Sequence, residues 1–193
     1  MKSSIIIAGG CMYQRSLDLT KTISHKSVLL LGPRQTGKST LLKTLFPGAL
    51  TINLLHGDLY RTLTAAPERL RDIVRPVYAS HGDEIPIVII DEIQKIPQLL
   101  DEVHALLGDH PELRFLLTGS SARKLRRQGV NLLGGRARKA SLHPITSVEY
   151  LTDAAPEDMF KNLLQWGGLP HVLQSADPKG ELQDYAGLYL KEE

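Results

Sequence analysis

The 193-residue chain is short of several things, and each shortage excludes something. One cysteine, Cys11, rules out an internal disulfide framework and fits a reducing compartment. Charge is nearly balanced: 23 Lys and Arg against 21 Asp and Glu leave a net +2, which does not by itself argue for nucleic acid or a membrane surface. No stretch approaches the ~18 apolar residues of a membrane span. The run Ile5 to Ala8, with Cys11 behind it, has the outline of a lipoprotein signal, but it is shorter than the ~7–15 residues of a signal core. The expected location is therefore the cytoplasm, with no membrane partner. The seven histidines show no metal-ligand spacing; His104 and His110 are six apart, off a shared helix face. No internal repeat and no Ser-His-Asp or Cys-His arrangement can be argued.

What is present is enough apolar residue, 42%, to bury a core of one domain or slightly more. "SVLLLG" (27–32) reads as a buried strand, and "KSTLLKTLF" as a helix with Leu41, Leu42 and Leu45 on one face. "ALTINLL" (49–55) is a second strand. From Asp58 to about Ser80 two short helices are expected, broken near Pro67 and Pro76. "IPIVIIDE" (85–92) is the strongest strand, ending in two carboxylates. "PQLLDEVHALLGDH" has helical spacing, and "LRFLLTGSS" is a further buried strand. Strands alternating with helices predict an α/β fold with a mainly parallel sheet, whose continuous apolar runs reflect burial of both faces. After about Ala140 the pattern changes. A short strand is expected to open "LHPITSVEYL", and "PEDMFKNLLQW" and "DPKGELQDYAGLYLKEE" read as helices, with Trp166 a core or packing residue. The last pattern has no stop signal, which favours a fragment of a longer protein.

Gly32-Pro33-Arg34-Gln35-Thr36-Gly37-Lys38-Ser39 matches G-x-x-x-x-G-K-[ST] at every fixed position, with a strand before it and a helix after. Gly32 and Gly37 let backbone curl around a phosphate, and successive N–H groups and the helix N-terminus then face the anion. Lys38 is expected to reach the β- and γ-phosphates, Ser39 to offer its hydroxyl to Mg2+, and Thr40 to add a contact. Asp91 would emerge at the carboxyl edge of the sheet, where such folds bind ligands, as the acid holding the metal's water shell. Glu92, the next residue, can polarise water against a γ-phosphate. A kinase passing phosphate to a substrate would have no use for it. The bland alternatives are a helix-capping Asp91 and a first-turn surface Glu92. No Asn-Lys-x-Asp stretch occurs, which tilts the base from guanine to adenine.

With these residues in view, the chain resembles the AAA+ ATPases. "VLLLGPRQTGKSTLL", "VIIDEIQKIPQLLDEVHALL", "FLLTGSSARKL" and "LLGGRARKASLHPITSVEY" follow one another as in that family. The wording "GPRQTGKST" and the later "GGLP" resemble a prokaryotic subgroup in which the ATPase domain precedes a C-terminal domain of unknown function. The resemblance implies a P-loop NTPase three-layer sandwich with a five-stranded sheet in the order 5-1-4-3-2, and ATP and Mg2+ as ligands. It implies a lead-in at 1–26, an ATPase core at 27–143 and a partial, lid-like helical region at 144–193, with the C-terminal domain missing. Thr118, ahead of Ser120, resembles the strand-end sensor of the γ-phosphate; the alternative is a hydroxyl capping the next helix at Ser120 and Ser121. Arg136 resembles an arginine finger acting on a neighbour's nucleotide, which would require a homo-oligomer or a protein partner. The alternative is a solvated basic patch.

Residues 123–139 hold seven basic side chains: Arg123, Lys124, Arg126, Arg127, Arg136, Arg138 and Lys139. Nucleic acid is a conceivable partner for them, but the stretch has no aromatic residue to stack on bases, so a solvated or inter-subunit surface is favoured. The resulting expectation is an ATPase that binds Mg-ATP at Gly32 to Thr40 and hydrolyses it through Glu92 with Lys38, Thr118 and Arg136. The alternative is a slow nucleotide-dependent switch working through a partner.

Overall fold

The computed structural model describes residues 4–8, 11–80, 82, 84–120, 133–150 and 156–189. The chain forms two compact units, Leu19–Leu31 with Phe46–Ser141, and Met1–Asp18 with Gly32–Leu45 and Leu142–Glu193.

The larger unit holds a sheet of β3 (Ser27–Leu31), β4 (Leu50–Asn53), β5 (Ile87–Asp91), β6 (Arg114–Gly119) and β7 (Ala137–Ser141). The order in space is β4-β5-β6-β3-β7, and every pairing is parallel. Counted from the strand before the Gly-rich loop, this is 5-1-4-3-2. The three central strands are apolar and almost wholly buried, as burial on both faces demands. On one face, Leu29, Leu31, Ile90 and Leu117 join a core with Leu63 of α3 (Gly57–Ala65), Leu70 and Val74 of α4 (Leu70–Ala79) and Val103 of α5 (Leu99–Asp109). Val28 and Leu30 alternate to the other face, and the short helix α1 (Leu19–Ile23) packs against β3. The architecture is that of a P-loop NTPase.

Two local expectations need correction. Pro76 does not break its helix; α4 runs through it to Ala79. The proline lies on the exposed side, where water can take the carbonyl it leaves unpaired, and Leu70 and Val74 hold the other side in the core. The strand expected to open at Leu142 lies earlier, as β7. Its Arg138 and Lys139 are exposed, and such charge is tolerated because β7 is an edge strand.

The second unit opens with an antiparallel hairpin, β1 (Ser4–Ala8) and β2 (Cys11–Arg15), where the sequence offered only an unassigned lead-in. Helix α2 (Lys38–Leu45) lies against β1. Beyond the sheet come α6 (Pro156–Trp166), α7 (Pro170–Gln174) and α8 (Pro178–Tyr189). The first long helical pattern is present as read, and the second is helical from Pro178 to Tyr189, with 190–193 outside the described residues. The five-residue α7 was too short to carry a period.

Candidate nucleotide site

The loop starts at the residue after β3 and ends where α2 begins. Gly32 is required by space: a Cβ there would lie 2.1 Å from the Leu142 carbonyl oxygen. Gln35 (φ 63°) and Gly37 (φ 88°) are both left-handed, the alternation that turns consecutive N–H groups to one side. Gln35 carries that conformation with a side chain, at a cost of ~1–2 kcal/mol. The Thr36 hydroxyl donates to the Pro33 carbonyl at 2.9 Å and is buried, which ties the loop across its base. Lys38 is 5% exposed, and its ammonium donates to the Gly32 and Pro33 carbonyls at 2.7 and 2.8 Å. A buried cation is thus held inside the curl by the loop's own oxygens, where an anion can draw on it. Pro33, Arg34, Ser39 and Thr40 are partly exposed, and Gln35 is exposed.

In the larger unit, parallel strands bring the carboxyl ends of β3, β5 and β6 to one edge, and Leu30 sits in register with Thr118. Asp91 ends β5 and is buried. The Thr118 hydroxyl donates to Asp91 Oδ1 and accepts from the Glu92 N–H at 3.1 Å. Thr118 is therefore fully buried and engaged with both acidic positions. Glu92 leaves the strand in a left-handed conformation (φ 63°, ψ 44°), which swings its side chain off the strand's alternation. Its carboxylate accepts a hydrogen bond from the Gln94 side-chain amide. Two buried polar atoms nearby in sequence, Gln94 Oε1 and Ser120 Oγ, have no hydrogen-bond partner among the described residues. Ser120, the lesser of the two sensor candidates, is 6% exposed.

Arg136 is exposed, and its guanidinium donates to the His104 carbonyl of α5 at 2.7 Å. Arg138 and Lys139 point from β7 into solvent. Ser121, Arg123, Lys124, Arg126 and Arg127 lie outside the described residues. Among the described residues no group of three His, Cys, Asp or Glu side chains could hold a metal ion. No helix among them is long and apolar enough to cross a membrane.

Sequence reasoning missed three engaged residues. Gln94 could have been noticed as the first amide after the acidic pair. Arg15 and Glu149 carried no signal, since nothing in spacing links positions 134 apart; they form a buried ion pair at 3.3 Å. Burial would raise the Glu149 carboxyl, but the Ser16 N–H and hydroxyl, Arg15 and the Thr146 N–H outweigh it and hold it below its ordinary value. Burial lowers the Arg15 guanidinium, and Glu149 opposes that.

A model of the AAA domain family matches residues 24–151. No curated protein matches the chain. Among solved structures, the fold is similar to that of a Walker-type ATPase of Pyrococcus abyssi, with 19% identity and a TM-score of 0.61 over 90% of this chain and 71% of that one. A signal transduction ATPase with numerous domains and a tetratricopeptide repeat sensor, from Pyrococcus horikoshii, aligns at 16% identity and a TM-score of 0.49 over 81% of this chain and 29% of that one. At 19% identity the likeness to the Pyrococcus abyssi protein concerns the fold alone.

Proposed function

Because the chain belongs to the AAA domain family, we propose that it is an ATPase that couples hydrolysis to a conformational change in itself or a partner. ATP would bind at Gly32 to Thr40 through loop N–H groups and Lys38. Ser39 and Asp91 would hold Mg2+, which supplies charge neutralisation on the phosphates. Glu92 would orient and deprotonate the attacking water, Thr118 or Ser120 would report the γ-phosphate, and Arg136 would act on a neighbouring chain's nucleotide. The observation that carries this reading is the acidic pair at the end of β5, with Asp91 buried and Glu92 turned out of the strand beside it.

The Glu92→Gln variant tests it. Mg-ATP binding should persist while turnover falls by about 10²-fold or more, the scale of general-base catalysis. Turnover equal to wild type would remove Glu92 from the mechanism.

A second reading, a slow nucleotide-dependent switch, draws on the hydrogen bond from Gln94 to the Glu92 carboxylate. A base already engaged by a neighbour turns over slowly until the contact is released. Removing the amide with Gln94→Ala should then raise the basal rate; an unchanged or lower rate counts against the switch.

A further inference from the structure

We propose that Arg15, from the N-terminal hairpin, is a positioning residue that sets the shape of the phosphate loop, and that Glu149 aims it. The inference rests on the nucleotide-binding reading of the loop and deepens it.

Arg15 is 3% exposed; two of its guanidinium nitrogens hydrogen-bond backbone carbonyls, one in the phosphate loop and one just after β7, and the third lies within ion-pair distance of Glu149 without a hydrogen bond of its own among the described residues. Nη1 donates to the Thr36 carbonyl at 3.2 Å, Nη2 donates to the His143 carbonyl, and Nε faces Glu149 Oε1 at 3.3 Å. Glu149, 4% exposed, is itself fixed. Its Oε1 accepts from the Ser16 N–H and hydroxyl, both at 2.8 Å, and its Oε2 from the Thr146 N–H at 3.2 Å. Tyr13 and Tyr150 stack at 6.2 Å between ring centres, closing the same two segments together.

The contact to Thr36 bears on function. A trans peptide is planar, and its C=O and N–H point in opposite directions. Drawing the Thr36 carbonyl toward Arg15 therefore turns the Gly37 N–H away from Arg15. Gly37 is at φ 88°, where few side chains offer steric guidance, so an external hydrogen bond is what selects the orientation of this peptide. The Thr36–Gly37 peptide immediately precedes Lys38, and its N–H is among those a phosphate would use. A buried ion pair adds little net stability, because desolvation offsets attraction, and in some proteins its use is to hold one geometry. The planar fork of arginine can serve three acceptors at fixed angles, whereas a lysine ammonium is a point donor that cannot.

Arg15→Lys and Glu149→Gln test the proposal, with hydrogen exchange of amides 32–40 measured without nucleotide and Mg-ATP affinity measured by calorimetry. Sheet amides of β3, β5 and β6 serve as the internal control for folding. In Arg15→Lys the loop amides should exchange faster while sheet amides keep wild-type protection. Mg-ATP should bind about tenfold more weakly, the loss of one charge-assisted hydrogen bond. KM should rise by that factor with kcat within about twofold, since the loop would be misaligned before binding rather than during chemistry. Glu149→Gln should give a smaller effect of the same kind, and the double variant should be no worse than Arg15→Lys alone, because both act through one contact. Wild-type loop exchange in Arg15→Lys, or wild-type affinity, overturns the proposal. Loss of sheet protection in both variants also overturns it, since the pair would then be merely structural. If wild-type protein fails to bind Mg-ATP while loop exchange depends on Arg15, the nucleotide reading falls and the positional role stands.

Discussion

Thr118 reaches from β6 to Asp91 at the end of β5, and the same hydroxyl accepts the N–H of Glu92. One buried side chain thus fixes a carboxylate and the backbone of the acid that follows it. Replacing it with valine keeps the volume and deletes both hydrogen bonds. Thr118→Val should lower stability by about 1–3 kcal/mol, the cost of stripping hydrogen bonds from buried polar groups. It should also lower kcat more than Mg-ATP affinity, whereas Thr118→Ser should retain most of both. Urea denaturation and steady-state rates would check this. If valine and serine behave alike, the hydroxyl has no such role.

Gly32 sits where a Cβ would meet the Leu142 carbonyl at 2.1 Å. Backbone must shift to relieve that overlap. Gly32→Ala should therefore cost roughly 1–3 kcal/mol of stability, as overpacking does, and weaken Mg-ATP binding at least about tenfold. A crystal structure or titration showing an undisturbed loop would refute the account.

Glu149 has a depressed carboxyl, so its contribution to stability is present above its unfolded value of about 4.3 and is lost as pH falls through the lower folded value. The Glu149→Gln variant lacks that proton equilibrium. The melting-temperature gap between wild type and Glu149→Gln should be widest near neutral pH and shrink as acid protonates Glu149. A gap independent of pH from 7 to 3 would show that ionisation is irrelevant there.

Arg136, exposed just before β7, donates to one backbone acceptor on α5, so Arg136→Ala should change stability by less than about 1.5 kcal/mol. If it works on a neighbour's nucleotide, the wild-type rate per chain should rise with protein concentration. The alanine variant should show a low, concentration-independent rate. A wild-type rate that is flat over two decades of concentration removes the trans role.

What was readable in the sequence follows burial. β3, β5 and β6 are covered on both faces, so their apolar runs announce them. β7 is an edge strand reading Ala-Arg-Lys-Ala-Ser, and its place was concealed by charges that only an edge tolerates. The order of the strands came from family resemblance, because periodicity says nothing about which strands pair. The places of Lys38 at the start of α2 and of Asp91 at the end of β5 were readable because the strand, turn and helix signals around them are local. The engagement of Thr118 with Asp91 was not, since two residues 27 apart met only when β5 and β6 paired. Arg15 and Glu149 were further still from any local pattern.

That separation has a consequence for how the molecule is made. Ser16 and Glu149, hydrogen-bonded at 2.8 Å, are 133 positions apart. A ribosome adding about 5–20 residues per second delivers the second partner roughly 7–27 seconds after the first. During that interval the phosphate loop is already synthesised, but the acid that orients its guanidinium clamp does not yet exist. The nascent chain therefore acquires its mature loop geometry late, after every strand of the sheet has been translated.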